Sequence, residues 1–282
     1  MRVVRSTAVF VCVVVALLAF GSPVGAAATS RKAVVASFYP LAYAAEQVGG
    51  SRVKVDNLTP AGAEPHDLEL TPHEVEEILD ADLVLYVGEG FQPAVEEAAA
   101  ESNGESMDAL EGLQLREGDP HVWLDPVLFA QVVERIGAQL GREAPAGQLV
   151  SRLNELDEAY KTGLADCDHR ELVTTHDAFG YLADRYGLEV VPITGLSPEA
   201  EPSPQDLEAV VDLVEASGVT TVFTETLLSP EVGETVAREA GATTAVLNPI
   251  EGLTEHEIAA GDDYFSVMET NLDALRTGLG CR

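Results

Sequence analysis

Positive charge is scarce in this chain of 282 residues. Sixteen lysines and arginines face 48 aspartates and glutamates, a formal net charge of −32. A field of that sign repels nucleic acid and anionic lipid, excludes both as partners and draws cations towards the surface. Cysteine is scarcer still, with three residues, and Cys12 lies inside an N-terminal apolar run. After that run nothing is long and apolar enough to cross a bilayer. The motif H-E-x-x-H occurs nowhere, which removes the signature of zincin-type hydrolases. No convincing internal repeat is present. General disorder is excluded by the hydrophobic fraction of 46%.

The apolar run has its own meaning. Arg2 and Arg5 precede "TAVFVCVVVALLAF", which ends in the small-residue stretch "GSPVGAAATS". Basic start, short apolar centre and small-residue end are the three parts of a secretory signal peptide. Residues 1–28 are therefore expected to be removed, with cleavage among Ala26, Ala27 and Ala28. Losing two arginines takes the mature charge to −34. An uncleaved anchor ranks well behind, and no cysteine follows the run to carry a lipid. The expectation is an exported, soluble protein, in the periplasm or at the cell surface. There the two remaining cysteines, Cys167 and Cys281, are expected to pair; the alternative is two free thiols. A bridge closing so long a loop stabilises by roughly 4–5 kcal/mol in the loop-entropy description.

Past the signal, β-rich apolar runs alternate with amphipathic ones. "KAVVAS" (32–37), "RVKVDNL" (52–58) and "DLVLYVG" (82–88) read as strands, with helices over 41–48 and 72–81, the second capped by Thr71 and opened by Pro72. Residues 127–166 keep a helical period with no strand, and Pro145 is expected to begin the second of two helices there. Strand and helix then alternate again: "ELVTTH" (171–176), "LEVVPIT" (188–194), "TTVFTET" (220–226) and "TTAVLNP" (243–249), with a helix opening at Ser203 and a last one over 263–279. The rhythm predicts an α/β protein with two parallel-sheet domains, 29–126 and 167–282, joined by connecting helices over 127–166.

In such sheets ligands bind beyond the carboxyl ends of the strands. His176 ends a strand, His66 follows one by a loop, and His121 lies in the loop leading to the middle helices. Both loop histidines stand behind a proline, in "GAEPHDLELTP" and "GDPHVWLDP", and a locked proline φ limits where the ring can go. His73, His169 and His256 read as surface residues. Three imidazoles at the rims of two domains need a fourth ligand, and "AAGDDYF" offers Asp262 and Asp263, one of which also suits a helix cap. Three nitrogens and a carboxylate suit tetrahedral zinc.

The ordered set "PHDLELTP", "DPHVWLDP", "THDAFGYLADRYGL" and "GDDYFSVMETNL" resembles the zinc- and manganese-binding class of ABC-transporter solute-binding proteins, from about Lys32 to the end. The resemblance implies two Rossmann-like domains joined by a long rigid helix, with the metal in the cleft between them. It places the family's ligands on His66, His121, His176 and Asp262. Manganese-type members carry glutamate at the third position, so His176 favours zinc. Zinc-type members also have a disulfide like Cys167–Cys281. One departure is that residues 101–119 contain no histidine, where many zinc members carry a histidine-rich loop. The implied role is capture of Zn2+ and delivery to the membrane permease of an ABC importer, by a monomer that is not an enzyme, with a metallochaperone as a further partner. The alternatives are a manganese-specific binder and a secreted zinc hydrolase; surface adhesion is a third class, with no added module to support it.

Overall fold

The computed structural model describes residues 31–198 and 202–282. The expected signal peptide lies outside the described residues. Among those that are described, no helix is long and apolar enough to cross a membrane.

The first half carries β1 (Lys32–Ala36), α1 (Tyr39–Gly49), β2 (Val53–Asn57), α2 (Pro72–Asp80), β3 (Leu83–Tyr86), α3 (Pro93–Ala100) and β4 (Glu105–Asp108). Its sheet is parallel throughout, in the order β2-β1-β3-β4. α2 starts where Thr71 accepts from Glu74 N–H while the Glu74 side chain returns to Thr71 N–H, with Pro72 in the first turn, so its orphan donors are satisfied locally. The second half carries β5 (Glu171–Thr174), α6 (Gly180–Tyr186), β6 (Glu189–Pro192), α7 (Pro204–Ser217), β7 (Thr221–Thr224), α8 (Glu231–Glu239), β8 (Thr243–Val246), α9 (Glu255–Ala260) and α10 (Tyr264–Gly278). The order β6-β5-β7-β8, again parallel, repeats that of the first sheet. In both sheets the order reverses at the first strand, which places a crevice beyond the strand ends.

Between the halves run α4 (Pro126–Leu140) and α5 (Glu143–Gly163). Pro145 falls in the first turn of α5 instead of opening it, where a missing N–H costs nothing. At 21 residues and 1.5 Å per residue, α5 is roughly 30 Å long. The two helices approach so closely that a Cβ on Gly137 would stand 2.5 Å from that of Ala146. They are not a bare strut. One buried apolar cluster runs from Val34 and Leu85 through Ile136, Leu153 and Tyr160 to Met268 and Leu275. Polar ties follow the same route: the Tyr160 hydroxyl donates to Met268 O at 2.7 Å, and that of Tyr264 donates to Trp123 O at 2.6 Å. Cys167 and Cys281 are joined by a disulfide across 114 residues of sequence, fastening the chain end to the start of the second half.

Three elements were not expected from the sequence. β4 is a polar edge strand with one buried residue, Met107. α3 is eight residues of mostly small side chains, and α9 is six residues inside an acidic loop.

Candidate metal centre

Each histidine of interest hangs beyond the carboxyl end of a strand. His176 lies two residues past β5, and its carbonyl accepts from Thr174 Oγ1 at 2.8 Å. His66 sits in a 3-10 turn, Pro65–Asp67, whose N-cap Glu64 accepts from His66 N–H through Oε1 at 3.3 Å. The same turn is pinned from below, where buried Gln92 donates to Pro65 O at 3.1 Å. His121 opens the turn Val122–Leu124 and donates its backbone N–H to Asp119 Oδ1 at 3.0 Å. Proline thus fixes the backbone before each loop histidine, and a carboxylate two residues upstream fixes its N–H.

The three rings meet. Their centroids lie 5.4–6.2 Å apart, and all three Nε2 atoms point at one oxygen, Oε1 of Glu251. The distances are 3.1 Å from His121, 3.5 Å from His66 and 3.5 Å from His176. Glu251 lies five residues past β8 and is fully buried. One ligand atom from each of the four residues lies within 4.8 Å of the others. A tetrahedron with zinc bonds of about 2.0–2.1 Å has edges of about 3.3 Å, and the spacings of 3.1–3.5 Å between that oxygen and the three nitrogens lie close to it.

Carboxylates stand behind two of the rings. His121 Nδ1 is 2.8 Å from Asp119 Oδ1, and His176 Nδ1 is 2.7 Å from Glu225 Oε2. The Asp119 contact is a hydrogen bond, of the kind that fixes a ring's tautomer and aims its Nε2 at a metal, whereas the Glu225 contact is a close ion pair without hydrogen-bond geometry. Glu225, one residue past β7, is itself held by the Thr175 hydroxyl and by His176 N–H at 3.2 Å. Phe91, edge-on to His66 at 4.6 Å between centroids, and Trp123, 5.1 Å from the His121 ring, wall the site with apolar surface.

The electrostatics follow from burial and partners. Burial pushes the Glu251 carboxyl up, but the imidazoles of His121, His176 and His66 gathered around it outweigh burial and hold the group well below the usual carboxylate range. Burial lowers His176, yet Glu225 and Glu251 overcome it and push the imidazole up to about 10. His121 is raised in the same way by Asp119 and Glu251 against its own burial. Burial, together with the charge of Glu251, pushes Glu64 up to about 8. Even so, His66 Nε2, both ring nitrogens of His176, Glu225 Oε2 and Glu251 Oε2 are buried with no hydrogen-bond partner. Each such group costs about 1–3 kcal/mol, and His66, His121, His176 and Glu251 together are a group that could hold a metal ion.

Asp262 does not belong to this group, and the fourth residue at the centre is Glu251. α9 comes between the two in the chain and carries Asp262 to its far end, where its N–H donates to Glu257 O at 2.9 Å and its Oδ1 accepts from Ser266 Oγ at 3.1 Å. It lines a separate pocket of about 100 Å³ with Asn248 and Glu257. Asp263 caps α10, accepting from the N–H groups of Phe265 and Ser266. His73 and His256 are exposed and His169 is half-buried, all outside the cluster. Asp119 and the role of Glu225 behind His176 are further features that reading the sequence missed. Glu251 obeys the strand-end rule that singled out His176; applied to "TTAVLNPIE", the same rule points to it.

Residues 34–278 match the family model described as ZnuA, zinc-uptake complex component A periplasmic. Among curated proteins the chain is 36% identical over 277 residues to the high-affinity zinc uptake system protein ZnuA of Bacillus subtilis (strain 168), covering 87% of each chain. It is also 36% identical over 275 residues to the zinc-binding lipoprotein AdcA of Streptococcus pneumoniae (strain ATCC BAA-255 / R6), covering 86% of this chain but only 55% of that protein. Among solved structures it is similar to the Zn(II)-bound ZnuA-like domain of Streptococcus pneumoniae AdcA. The TM-score is 0.78 at 36% identity, over 89% of this chain and 99% of that one.

Proposed function

Because this chain belongs to the family of zinc-uptake complex component A, we propose that it is the solute-binding protein of an ABC importer and that its cargo is Zn2+. The ligands in this reading are His66, His121, His176 and Glu251. One observation carries it: three imidazole nitrogens surround a single buried carboxylate oxygen near tetrahedral-edge distances, with two of those nitrogens and the second carboxylate oxygen lacking hydrogen-bond partners.

The donor set also speaks to selectivity. Manganese is suited by carboxylate, carbonyl and water oxygen, whereas imidazole suits zinc. Three nitrogens and one oxygen therefore favour zinc, and the carboxylate supplies the only formal negative charge among the ligands. The two loop histidines come from the first half and the other two ligands from the second, so the ion joins the halves across their cleft. A permease that meets the protein can then distinguish the loaded from the empty form. In this reading the protein works outside the cytoplasm as a monomer, and a single chain supplies all four candidate ligands. It has no hydrolytic role: Glu251 takes the position that a catalytic zinc keeps for water, and Glu225 is engaged behind His176 instead of facing an attacking group.

Equilibrium dialysis of the metal-stripped protein tests the reading. One zinc per chain, retained more tightly than manganese, is expected; tighter retention of manganese overturns it. Peptidase and esterase assays on the zinc-loaded protein are expected to show no turnover, and turnover lost in Glu225→Gln would instead favour the hydrolase.

A further inference from the structure

Two non-glycine residues among those described have left-handed backbone, Glu89 and Ile250, with φ of 59° and 57°. Glu89 lies on an exposed turn. Ile250 is fully buried and is the residue immediately before Glu251. A β-branched side chain in that region is a genuine outlier, because its Cβ crowds the backbone. Such a conformation persists only where its surroundings over-determine it, and it collects at ligand clamps.

The surroundings of Ile250 do this from three directions. Asn248 Oδ1 accepts from Ile250 N–H at 2.7 Å, an Asx turn that coils the chain back on itself. Asn248 is held in turn by Asn271 of α10, which accepts from its N–H at 2.9 Å and donates to its carbonyl at 2.6 Å. Between them, Pro249 O accepts from the indole N–H of Trp123 at 2.7 Å. Trp123 belongs to the turn that His121 opens. The segment bearing one candidate ligand is thus hydrogen-bonded to the segment bearing another, across 126 residues of sequence.

We propose that the left-handed turn at Ile250, locked by Asn248 and gripped by Trp123, is what sets the Glu251 carboxylate on the three imidazoles, and that Asn248 and Trp123 are positioning residues for metal binding. An extended or helical backbone at residue 250 would send the following side chain in another direction. Ile250 reaches the ion only through Glu251, so the device is worth nothing to the metal once that carboxylate is gone. The proposal rests on the zinc reading given above.

A double-mutant cycle with zinc alone, measured by competition with a chelator, decides it. Asn248→Ala is expected to weaken zinc binding about tenfold or more, the range of outer-shell partners that orient ligands. In a Glu251→Ala background, where the three imidazoles still bind zinc weakly, the same change is expected to add less than about twofold, because the two residues act as one unit. Asn248→Ser, whose hydroxyl can form the same turn more weakly, is expected to recover part of the loss. Trp123→Phe, which keeps an aromatic ring but removes the N–H, is expected to behave like Asn248→Ala. Equal losses in both backgrounds, for either variant, overturn the proposal and reduce the turn to ordinary packing. A parent protein that binds no zinc sinks the functional reading itself, so the two failures are distinct.

Discussion

The two halves of the molecule have the same sheet, strand for strand, yet they present their candidate histidine ligands differently. In the second half His176 and its partner Glu225 stand one or two residues beyond β5 and β7, so the sheet itself aims them. In the first half the corresponding strand ends are closed by a neutral network. There Thr59 Oγ1 donates to Ser37 O at 2.7 Å, and Gln92 donates to Thr59 and to Pro65 O. The candidate ligands of that half ride on loops, His66 after β2 and His121 after β4, each stiffened by a proline and a capping carboxylate. The same architecture can therefore hold an imidazole by strand geometry or by local turn chemistry. Within the first half the two loops also differ. His121 is fully buried with Asp119 behind it, whereas the side chain of His66 is 13% exposed, and among the described residues no carboxylate stands behind its ring.

The largest expected effects come from removing the candidate ligands of the second half. His176→Ala and Glu251→Ala should each lower zinc affinity beyond the roughly 100-fold upper end for an outer-shell partner, since each removes a proposed direct ligand. His66→Ala should lose less than His176→Ala, because a looser ring brings less preorganisation. Titration calorimetry on the three variants checks the order; a His66→Ala protein weaker than His176→Ala would mean that the loop half, not the sheet half, governs the site.

Removing the supporting carboxylates sharpens the comparison at a finer scale. Glu225→Gln and Asp119→Asn should each cost about 10–100-fold in zinc affinity with all four ligands present. Isothermal titration of either variant at wild-type affinity would show that burial alone orients the rings.

Acid should act on the same groups. The folded-state pKa of His176 is raised, so the stability its proton lends the ion-free protein is complete below the ordinary histidine value of about 6.5. That contribution fades as pH rises towards about 10. Zinc must displace the proton, so affinity should climb with pH across that window and fall on acidification. Zinc binding at neutral pH should release protons, visible as a calorimetric enthalpy that depends on the ionisation enthalpy of the buffer. A buffer-independent enthalpy would contradict the charged state of the ion-free cluster.

Much of this was legible in the residues. Alternating strand and helix runs, caps such as Thr71 and Ser203, and prolines at helix starts carry local physics that tertiary context left intact. The three histidines stood out because imidazole is rare here and two of them share a proline. Glu251 did not, since one glutamate among 48 acidic residues draws no notice by type; its place just past the run "TTAVLNP" is a sequence signal, but its burial and left-handed neighbour are properties of the folded chain. β4 escaped because a polar edge strand needs only one buried side chain to hold its register. α9 escaped because six residues capped by Thr254 and Glu257 are too short to show a period.

The smallest expected effect falls on the residue that the motif alone favoured. Asp262 lies next to a capping aspartate at the mouth of α10 and before an aromatic pair, where an acidic side chain looks purposeful. In the structure its carboxylate accepts from Ser266 Oγ, its N–H closes the end of α9, and it faces a pocket apart from the imidazoles. Its charge acts on the α10 dipole, a contribution of about 0.3–1 kcal/mol to folding at most. Asp262→Ala should therefore leave zinc stoichiometry and affinity at wild-type values while lowering the melting temperature slightly, beside a Glu251→Ala protein that has lost most of its affinity. Competition titration of the two variants side by side measures this contrast, and an Asp262→Ala protein as impaired as Glu251→Ala would return the fourth ligand to the second half's last helix.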